Sequence, residues 1–571
     1  MIILGFNSGF HDASVALFDD YRLVGAVSLE RLTRQKGDGG GRVPDAAIDE
    51  VLSIAGLSRA DVDIVCAART ALPAAYYTHL PPHRKLEAMA RQWLGKIKPK
   101  SMSNELRRYG LTDADKIFDG ARFLKDFGFT KAQTLHFYNH HKAHAISSLF
   151  FTDWQKALLY TADGSGDNVH YSHYLLENEQ LINLYGDDRY LLPEPRVESL
   201  GMMYGYFTQA LGYKIGRHEG KLTGLSAHGE PKLYSELASH FRVDADGCIQ
   251  SDFADRRAMQ QYCYDIAKTV SPADAAASVQ KLLEEFIVQS VNVIHTKYKV
   301  NHLALGGGVF ANVKLNRLLA EQPDMQEVFI FPAMGDEGLP AGGCLDYLLL
   351  RDGLPQWLKS RYRLDNVYLG RDYNSEIETG LLQAGAKKIS DDPVAEAARR
   401  IIKGECGAIY NGRMEFGPRA LGARTILANP TDPAVNDDLN NRLDRSDFMP
   451  FAPVVLAERA DEVFEINDVN RYACRFMTIT CDVKPEWREK IKAVVHVDHS
   501  ARPQIIRRED NALYYDIIKS YADATGIPVL INTSFNVHEE PIVNTPAECA
   551  RALMDGRVDF IVTGQGVFVR P

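Results

Sequence analysis

An α/β fold in two domains is what this sequence of 571 residues predicts, and three of its features lead there. Three short apolar runs, residues 2–7, 13–18 and 23–28, are separated by Gly9-Phe-His-Asp12 and Asp19-Asp-Tyr-Arg22, the pattern of a strand meander with tight turns. Residues 302–312 and 327–338 each read as a strand, a glycine turn and a helix start. After an interruption at 353–372, with Pro355, Trp357 and Gly370, the alternation resumes with a helix at 393–403 and a strand at 408–411. The chain is also too long for one ordinary core. The domains are therefore placed at 1–355 and 365–571.

Composition narrows the class. Apolar content of 45% and charged content of 25% are those of a globular protein, and no run of about 18 apolar residues exists to span a membrane. The first residues run straight into strand-like sequence, so the chain is expected to start here without a leader. Eight dispersed cysteines lack any C-x-x-C pair, which predicts reduced, mostly buried thiols and a cytoplasmic protein. A net charge of −10 with scattered Lys and Arg offers no basic stripe for nucleic acid.

The meander at residues 2–28 is how actin-like ATPase and sugar-kinase folds begin. In such a fold the first turn faces nucleotide phosphates, which makes His11 and Asp12 candidates for catalysis. Ordinary turn chemistry explains a His-Asp turn equally well. Next, Glu30-Arg-Leu-Thr-Arg-Gln-Lys36 leads into the glycine loop 37–41 and a helix opening at Pro44, with apolar spacing through Ile48, Leu52 and Leu57. Lys36, a third candidate for catalysis, belongs either to a basic loop beside phosphate or to a solvated charged segment. Residues 72–129 are mixed and helical and carry no chemistry that can be assigned.

Within Asn139-His-His-Lys-Ala-His-Ala145, His140 and His144 stand four apart, on one face of a helix. Two imidazoles so placed reach one ion, given a third, anionic ligand from elsewhere. The plain alternative is that His136, His140, His141 and His144 are partly buried helix residues bonded to backbone carbonyls. A buried strand at 157–161 then runs into Asp163-Gly-Ser-Gly-Asp167, an acidic glycine turn followed by a second strand. Such a hairpin holds phosphate on its backbone N–H groups, so Asp163 and Gly164 are nucleotide candidates, although D-G hairpins are common. Residues 216–229 hold cations and glycines without Walker spacing, and Lys221 or His228 is placed to contact an anion. A long helix is expected at 272–298. The turn of Gly306, Gly307 and Gly308, closing at Asn312, suits adenosine against bare backbone. Asp336, at the next helix start, is the third ligand expected for His140 and His144.

In the C-terminal half, the loop Gly412-Arg-Met-Glu-Phe-Gly-Pro-Arg-Ala-Leu-Gly-Ala-Arg424 holds three guanidinium groups that repel one another unless anions lie between them. Phosphate is the simplest such anion. Asn532 and Ser534 end a strand at 530–536 as a cradle for a planar amide-like group, although such residues are ordinary turn formers.

Taken together and in this order, the segments Phe10-His-Asp-Ala-Ser14, Glu30-Arg-Leu-Thr-Arg34, His140-His-Lys-Ala-His-Ala145, Gly220-Lys-Leu-Thr-Gly-Leu-Ser-Ala-His-Gly229, residues 412–422, Ser500-Ala-Arg-Pro-Gln504, and Asn532-Thr-Ser-Phe-Asn536 with Glu540-Pro-Ile-Val543 carry a family likeness. Over essentially its whole length the chain resembles the ATP-dependent O-carbamoyltransferases of nodulation and antibiotic tailoring. The resemblance implies an N-terminal actin-like ATPase domain similar to the tRNA threonylcarbamoyl-transfer ATPase, and a C-terminal α/β domain of the YrdC-like kind that forms carbamoyl-adenylate. It implies carbamoyl phosphate and ATP as substrates, with Arg419, Arg424 and Arg502 on phosphate and Asn532 and Ser534 on the carbamoyl group. It further implies Fe2+ or a similar divalent metal at His140, His144 and Asp336, with Mg2+ accompanying ATP left open. His11 would serve as general base with a pKa near neutrality, and a hydroxyl of a small natural product or sugar as acceptor. A homodimer is admitted. Many relatives carry Arg where Met449 stands, and Arg442 or Arg445 is a candidate replacement. The readings that compete are a kinase-type or tRNA-modifying actin-like ATPase and a nucleotide-sensing scaffold without turnover.

Overall fold

The computed structural model describes residues 1–93, 100–192, 197–444 and 450–571. The chain divides into two compact units, one of residues 1–33 and 37–364 and one of residues 34–36 and 365–571.

The N-terminal unit contains the same sheet twice. Strands β1 (Ile2–Asn7), β2 (Ser14–Asp19), β3 (Arg22–Ser28), β4 (Ile64–Ala68) and β5 (Thr134–Tyr138) form the first, in the order β3-β2-β1-β4-β5. β1 to β3 are an antiparallel meander, while β4 and β5 join parallel to β1. Helix α1 (His140–Phe150) follows β5. Strands β6 (Ala157–Gly166), β7 (Val169–Glu177), β8 (Gln180–Tyr185), β9 (His302–Gly306) and β10 (Glu327–Ile330) repeat the order as β8-β7-β6-β9-β10, again a meander joined by two parallel strands. Helix α2 (Pro272–Tyr298) precedes β9, and α3 (Leu339–Asp352) follows β10. A meander of three strands with two parallel strands beside its first, built twice, is the architecture of actin-like ATPases.

Local chemistry places these elements. Asn139 caps α1 by accepting from Lys142 N at 2.9 Å, and Ser271 caps α2 with Pro272 at its first position. The first sheet is filled by Leu4, Phe6, Val15, Leu17 and Val65 against Ile48, Val51 and Phe123. The expected turn at residues 163–167 is corrected: β6 runs through Gly166, and the chain reverses at Asp167 and Asn168, which have φ of 47° and 66°. Two successive left-handed residues make the hairpin turn whose twist matches its strands. Asp163 thus projects from a strand, not from a turn.

Helix α3 lies unusually close to its neighbours. A Cβ at Gly342 would sit 2.1 Å from the carbonyl oxygen of Ala143 in α1, and one at Gly5 in β1 would sit 2.3 Å from that of Pro340. Charge holds the same contact, since Asp346 of α3 pairs with His136 of β5 at 2.8 Å and Lys142 of α1 at 2.7 Å. Burial alone would raise the Asp346 pKa, but these two cations outweigh it and hold it down at about 2. A carboxyl so depressed contributes stability that is complete above the unfolded pKa and is lost only as pH falls through about 2.

The C-terminal unit is a second α/β body. Strands β11 (Lys387–Ser390), β12 (Gly407–Tyr410), β13 (Arg424–Ala428), β14 (Ala452–Leu456), β15 (Gln504–Ile506), β16 (Val529–Ser534), β17 (Phe560–Thr563) and β18 (Gly566–Val569) form one mixed sheet, β11-β18-β17-β12-β13-β16-β14-β15. Helices α4 (Pro393–Ile402) and α5 (Ala512–Thr525) cover it through Ala397, Ile401, Tyr514 and Ile518. All eight cysteines are free thiols, seven of them buried, and no helix among the described residues is long and apolar enough to cross a membrane.

In a helix interior, Gly to Ala ordinarily gains about 1 kcal/mol of propensity. At Gly342 the added carbon meets a backbone oxygen that cannot step aside, and overpacking of about 1–3 kcal/mol decides the sign. We expect Gly342→Ala to lower the thermal midpoint of the N-terminal unit. An unchanged or higher midpoint would show that α1 and α3 are not in this contact.

Candidate metal centre and its surroundings

Four side chains from three places in the sequence converge in the N-terminal unit. His140 and His144 Nε2 each lie 3.3 Å from Asp163 Oδ2, and 3.6 and 3.8 Å from Asp336 Oδ1. One ligand atom from each of the four can be chosen so that all lie within 4.8 Å of one another. The two imidazoles share a face of α1, Asp163 comes from β6, and Asp336 from the turn before α3. His144 Nε2 is buried and makes no hydrogen bond of good geometry, although a carboxylate oxygen is 3.3 Å away. A set of two imidazoles and two carboxylates around an unsatisfied buried nitrogen fits a borderline divalent cation. Burial would lower the His144 pKa, but Asp163 and Asp336 carry it up to about 9. Against its own burial, Asp163 is held well below the usual carboxylate range by the two histidines.

The surroundings fix these ligands. The backbone N of His140 donates to Asp167 Oδ2 at 2.9 Å, and Asp167 also accepts from the Ser103 hydroxyl. Arg69 stands 3.8 Å from Asp167 and grips Asp188 with both arms, while Asn139 donates to Asp188 at 2.6 Å. A Cβ at Gly166 would lie 2.1 Å from the His140 ring, so glycine there is what leaves room for the imidazole. The other two histidines are structural. His141 is bonded to the Thr161 hydroxyl and the Val169 carbonyl, with burial holding it well below its usual pKa, and His136 is the partner of Asp346.

The structure places His11 beside this cluster, its Nε2 3.9 Å from Asp336 Oδ2 and its Nδ1 2.9 Å from Asp12 Oδ2. The expected pKa near neutrality is corrected: the Asp12 hydrogen bond first, then the Asp336 charge, push it up to about 10. Half of the ring faces solvent, at 54% exposure, and screening softens this push without reversing it. Lys36 groups with the C-terminal unit, and the residue after it, Gly37, accepts from Asp12 N at 3.2 Å.

The nucleotide candidates separate. Asp163 accepts from Gly164 N at 2.6 Å and Gly308 N at 3.3 Å, so these three residues meet the histidine cluster. Glycine at the neighbouring positions already has an internal reason, because a Cβ at Gly306 or Gly307 would strike the carbonyl oxygens of His144 and Ala162 at 2.7 and 2.2 Å. The Asn312 amide caps the following helix and bonds to Gln280. Lys221 stands on the separate helix Glu219–Ser226.

In the C-terminal unit Arg424 is fully buried, its guanidinium 3.7 Å over the Tyr410 ring and donating to the carbonyls of Asn411, Gly412 and Ala423. Asn532 and Ser534 lie on β16 opposite Leu427 and Thr425. Arg419 and Arg502 are half-buried. Arg442 is paired with Asp438 and Asp559, and Arg445 and Met449 lie outside the described residues.

An actin-like unit with a His-His-Asp-Asp centre, joined to a second α/β unit, sets the class. Two family descriptions cover the chain, Carbamoyltransferase N-terminus over residues 2–345 and Carbamoyltransferase C-terminus over residues 398–570. The chain belongs to the carbamoyltransferase family. It is 31% identical to an uncharacterised protein of Methanocaldococcus jannaschii, over 98% of this chain and 97% of that one. It is also 31% identical to the nodulation protein NolNO of Sinorhizobium fredii, over 98% of this chain and 79% of that one. Component A of the (R)-2-hydroxyglutaryl-CoA dehydratase of Acidaminococcus fermentans aligns over 63% of this chain and 99% of its own at 13% identity, with a TM-score of 0.33, too low to bear on function.

We expect Gly166→Ala, which displaces the His140 ring, to weaken binding of Co2+ by about 10–100-fold, the usual loss when a ligand's support is removed. Calorimetric titration under nitrogen measures it. Unchanged affinity in a folded variant would remove His140 from the centre.

Proposed function

We propose that this carbamoyltransferase is ATP-dependent and carbamoylates a hydroxyl group in two steps. In the C-terminal unit, water hydrolyses carbamoyl phosphate to carbamate and inorganic phosphate, and an oxygen of the carbamate then attacks the α-phosphorus of ATP, breaking the α–β phosphoanhydride bond and releasing pyrophosphate. The carbamoyl-adenylate then serves the N-terminal unit, where the acceptor oxygen attacks the carbamoyl carbon. The bond from that carbon to the AMP oxygen breaks, and a carbamate ester and AMP result. Activation is needed because nitrogen and oxygen both donate into a carbamate carbonyl and leave it a poor electrophile.

The observation that carries this reading is the convergence of His140, His144, Asp163 and Asp336 beside His11, in a chain that both carbamoyltransferase descriptions match. In it, Gly164 N and Gly308 N, which already point at Asp163, orient the nucleotide phosphate side of the adenylate. His11 takes the acceptor's proton, with Asp12 at its Nδ1 fixing the ring. His140, His144, Asp163 and Asp336 would hold a divalent cation, Fe2+ by the family likeness, which would supply positive charge to the phosphate and offset the charge that Asp336 places on His11. Arg419 and Arg502 stabilise phosphate charge in the C-terminal unit, while Arg424 acts through the fold of the loop it anchors, its Nη1 and Nη2 being bonded to carbonyls. The acceptor is a hydroxylated natural product or sugar, and the reaction runs in the cytoplasm.

Product analysis tests the scheme. With carbamoyl phosphate and ATP the protein is expected to release pyrophosphate and form AMP; ADP would indicate a kinase, and binding without turnover a scaffold. His11→Asn is expected to lower ester formation by about 10²–10⁴-fold while leaving carbamoyl-phosphate-dependent pyrophosphate release largely intact. Equal loss of both activities would remove His11 from the transfer step.

A further inference from the structure

Two arginines reach the tip of the hairpin formed by β6 and β7, and only one of them has an anion. Arg69 grips Asp188 with both arms and stands 3.8 Å from Asp167. Arg256 donates from Nη2 to the hydroxyl of Ser165 at 3.0 Å, and among the described residues it pairs with no carboxylate. Its Nε is buried without a hydrogen-bond partner, while its Nη1 is neither bonded nor buried. A guanidinium always carries its charge, and leaving its donors unmatched costs more than leaving a neutral donor so.

The fold holds Arg256 in this place. It opens the helix Arg256–Ile266, which Asp255 caps by accepting from Ala258 N at 2.8 Å, and which buries Met259, Cys263 and Ile266. Tyr264 of that helix donates to Gln209 Oε1 at 2.5 Å. The exposed Arg257 follows, and the first turn holds no acidic residue, so two cations crowd the end of a helix that favours negative charge. Ser165 is exposed, and its hydroxyl accepts from Arg256 while keeping its own O–H to donate. Both Nη atoms belong to one rigid planar group, which puts Nη1 within about 5 Å of the Ser165 oxygen, close enough for one anion to accept from both.

This seat is near the reacting groups but separate from them. Ser165 stands two residues beyond Asp163 on β6, at most about 7 Å along the chain. The adenylate carries a single phosphate, and in the scheme above the cation, Gly164 N and Gly308 N already answer it. Pyrophosphate has left before transfer. The remaining molecule present when the carbamoyl group moves is the acceptor.

We propose that Arg256 and Ser165 seat an anionic group, phosphate or carboxylate, of the acceptor, so that the hydroxyl compound this chain carbamoylates is itself an anion, such as a sugar phosphate. The inference rests on the proposed function and narrows its substrate; Arg256 binds and takes no part in bond making.

Labelling of arginines by phenylglyoxal tests it on the natural full chain, with Co2+ and saturating AMP present and inorganic phosphate as the probe. Mass spectrometry of protease fragments reads Arg256 against the exposed Arg257 beside it. At matched ionic strength, phosphate in place of chloride is expected to slow labelling of Arg256 about tenfold when it fills about nine-tenths of the seats, and to leave Arg257 unchanged. Acetate in a parallel arm shows whether a carboxylate serves as well. Equal rates for Arg256 in phosphate, acetate and chloride overturn the seat, as does an Arg256 that phenylglyoxal cannot label in chloride, since it is then closed to solutes. Protection by AMP alone as strong as that by added phosphate assigns the seat to the nucleotide and overturns the acceptor class. Absence of pyrophosphate when carbamoyl phosphate and ATP are supplied overturns the functional reading instead, and the acceptor class with it, whatever the labelling shows.

Discussion

The seating of helix α3 against β1 and α1 is the constraint on which the centre depends. Asp336 lies three residues before the first turn of α3, and His140 and His144 lie along α1, so the distance between helices sets the distance between ligands. Glycine at positions 5 and 342 permits backbone to touch backbone there, and the pairing of Asp346 with His136 and Lys142 ties the other end of the contact. A packing defect of a few tenths of an ångström would be invisible in an ordinary core. Here it would move a carboxylate relative to two imidazoles.

The four histidines of residues 136–144 show how one short stretch is divided by what surrounds each ring. His141 has both nitrogens bonded to its own fold and is locked neutral, whereas His136 neutralises a buried aspartate. Only His140 and His144 direct Nε2 toward Asp163 and Asp336. Bringing two carboxylates and two imidazoles together out of water is costly, and the glycine and helix contacts around them oppose relaxation.

Much of this was readable from residues alone. The i, i+4 spacing selected His140 and His144, and the helix-start position of Asp336 selected it as their partner. The meander at residues 2–28 and the helix 272–298 followed from periodicity, because one face of each is buried. Other features had no local signal. That β6 continues through Asp163-Gly-Ser-Gly166 depends on the left-handed pair Asp167 and Asn168, and from that strand Asp163 Oδ2 reaches both histidines at 3.3 Å. The sequence placed Asp163 with the nucleotide, and the metal cluster takes it in as well. Glu415, whose buried carboxylate accepts from the backbone N of Leu421, Ala423 and Arg424, was hidden because those donors are backbone groups six to nine residues downstream, which no pattern of side chains records. For His11, the hydrogen bond to the adjacent Asp12 is the larger push on its pKa and a turn dipeptide does not reveal it; the charge of Asp336 then adds to it across more than three hundred residues of chain.

The repeated strand order of the N-terminal unit has a further consequence. His11 follows the first strand of one sheet, and Asp163 lies in the last turnward residues of the corresponding strand of the other; α1 follows the last strand of one sheet, and the Asp336 turn follows the last strand of the other. Equivalent corners of two copies of one motif have thus diverged in chemistry, imidazole in the first copy and carboxylate in the second. The centre therefore takes its two imidazoles from one copy and its two carboxylates from the other, so neither copy alone holds the full set of ligands.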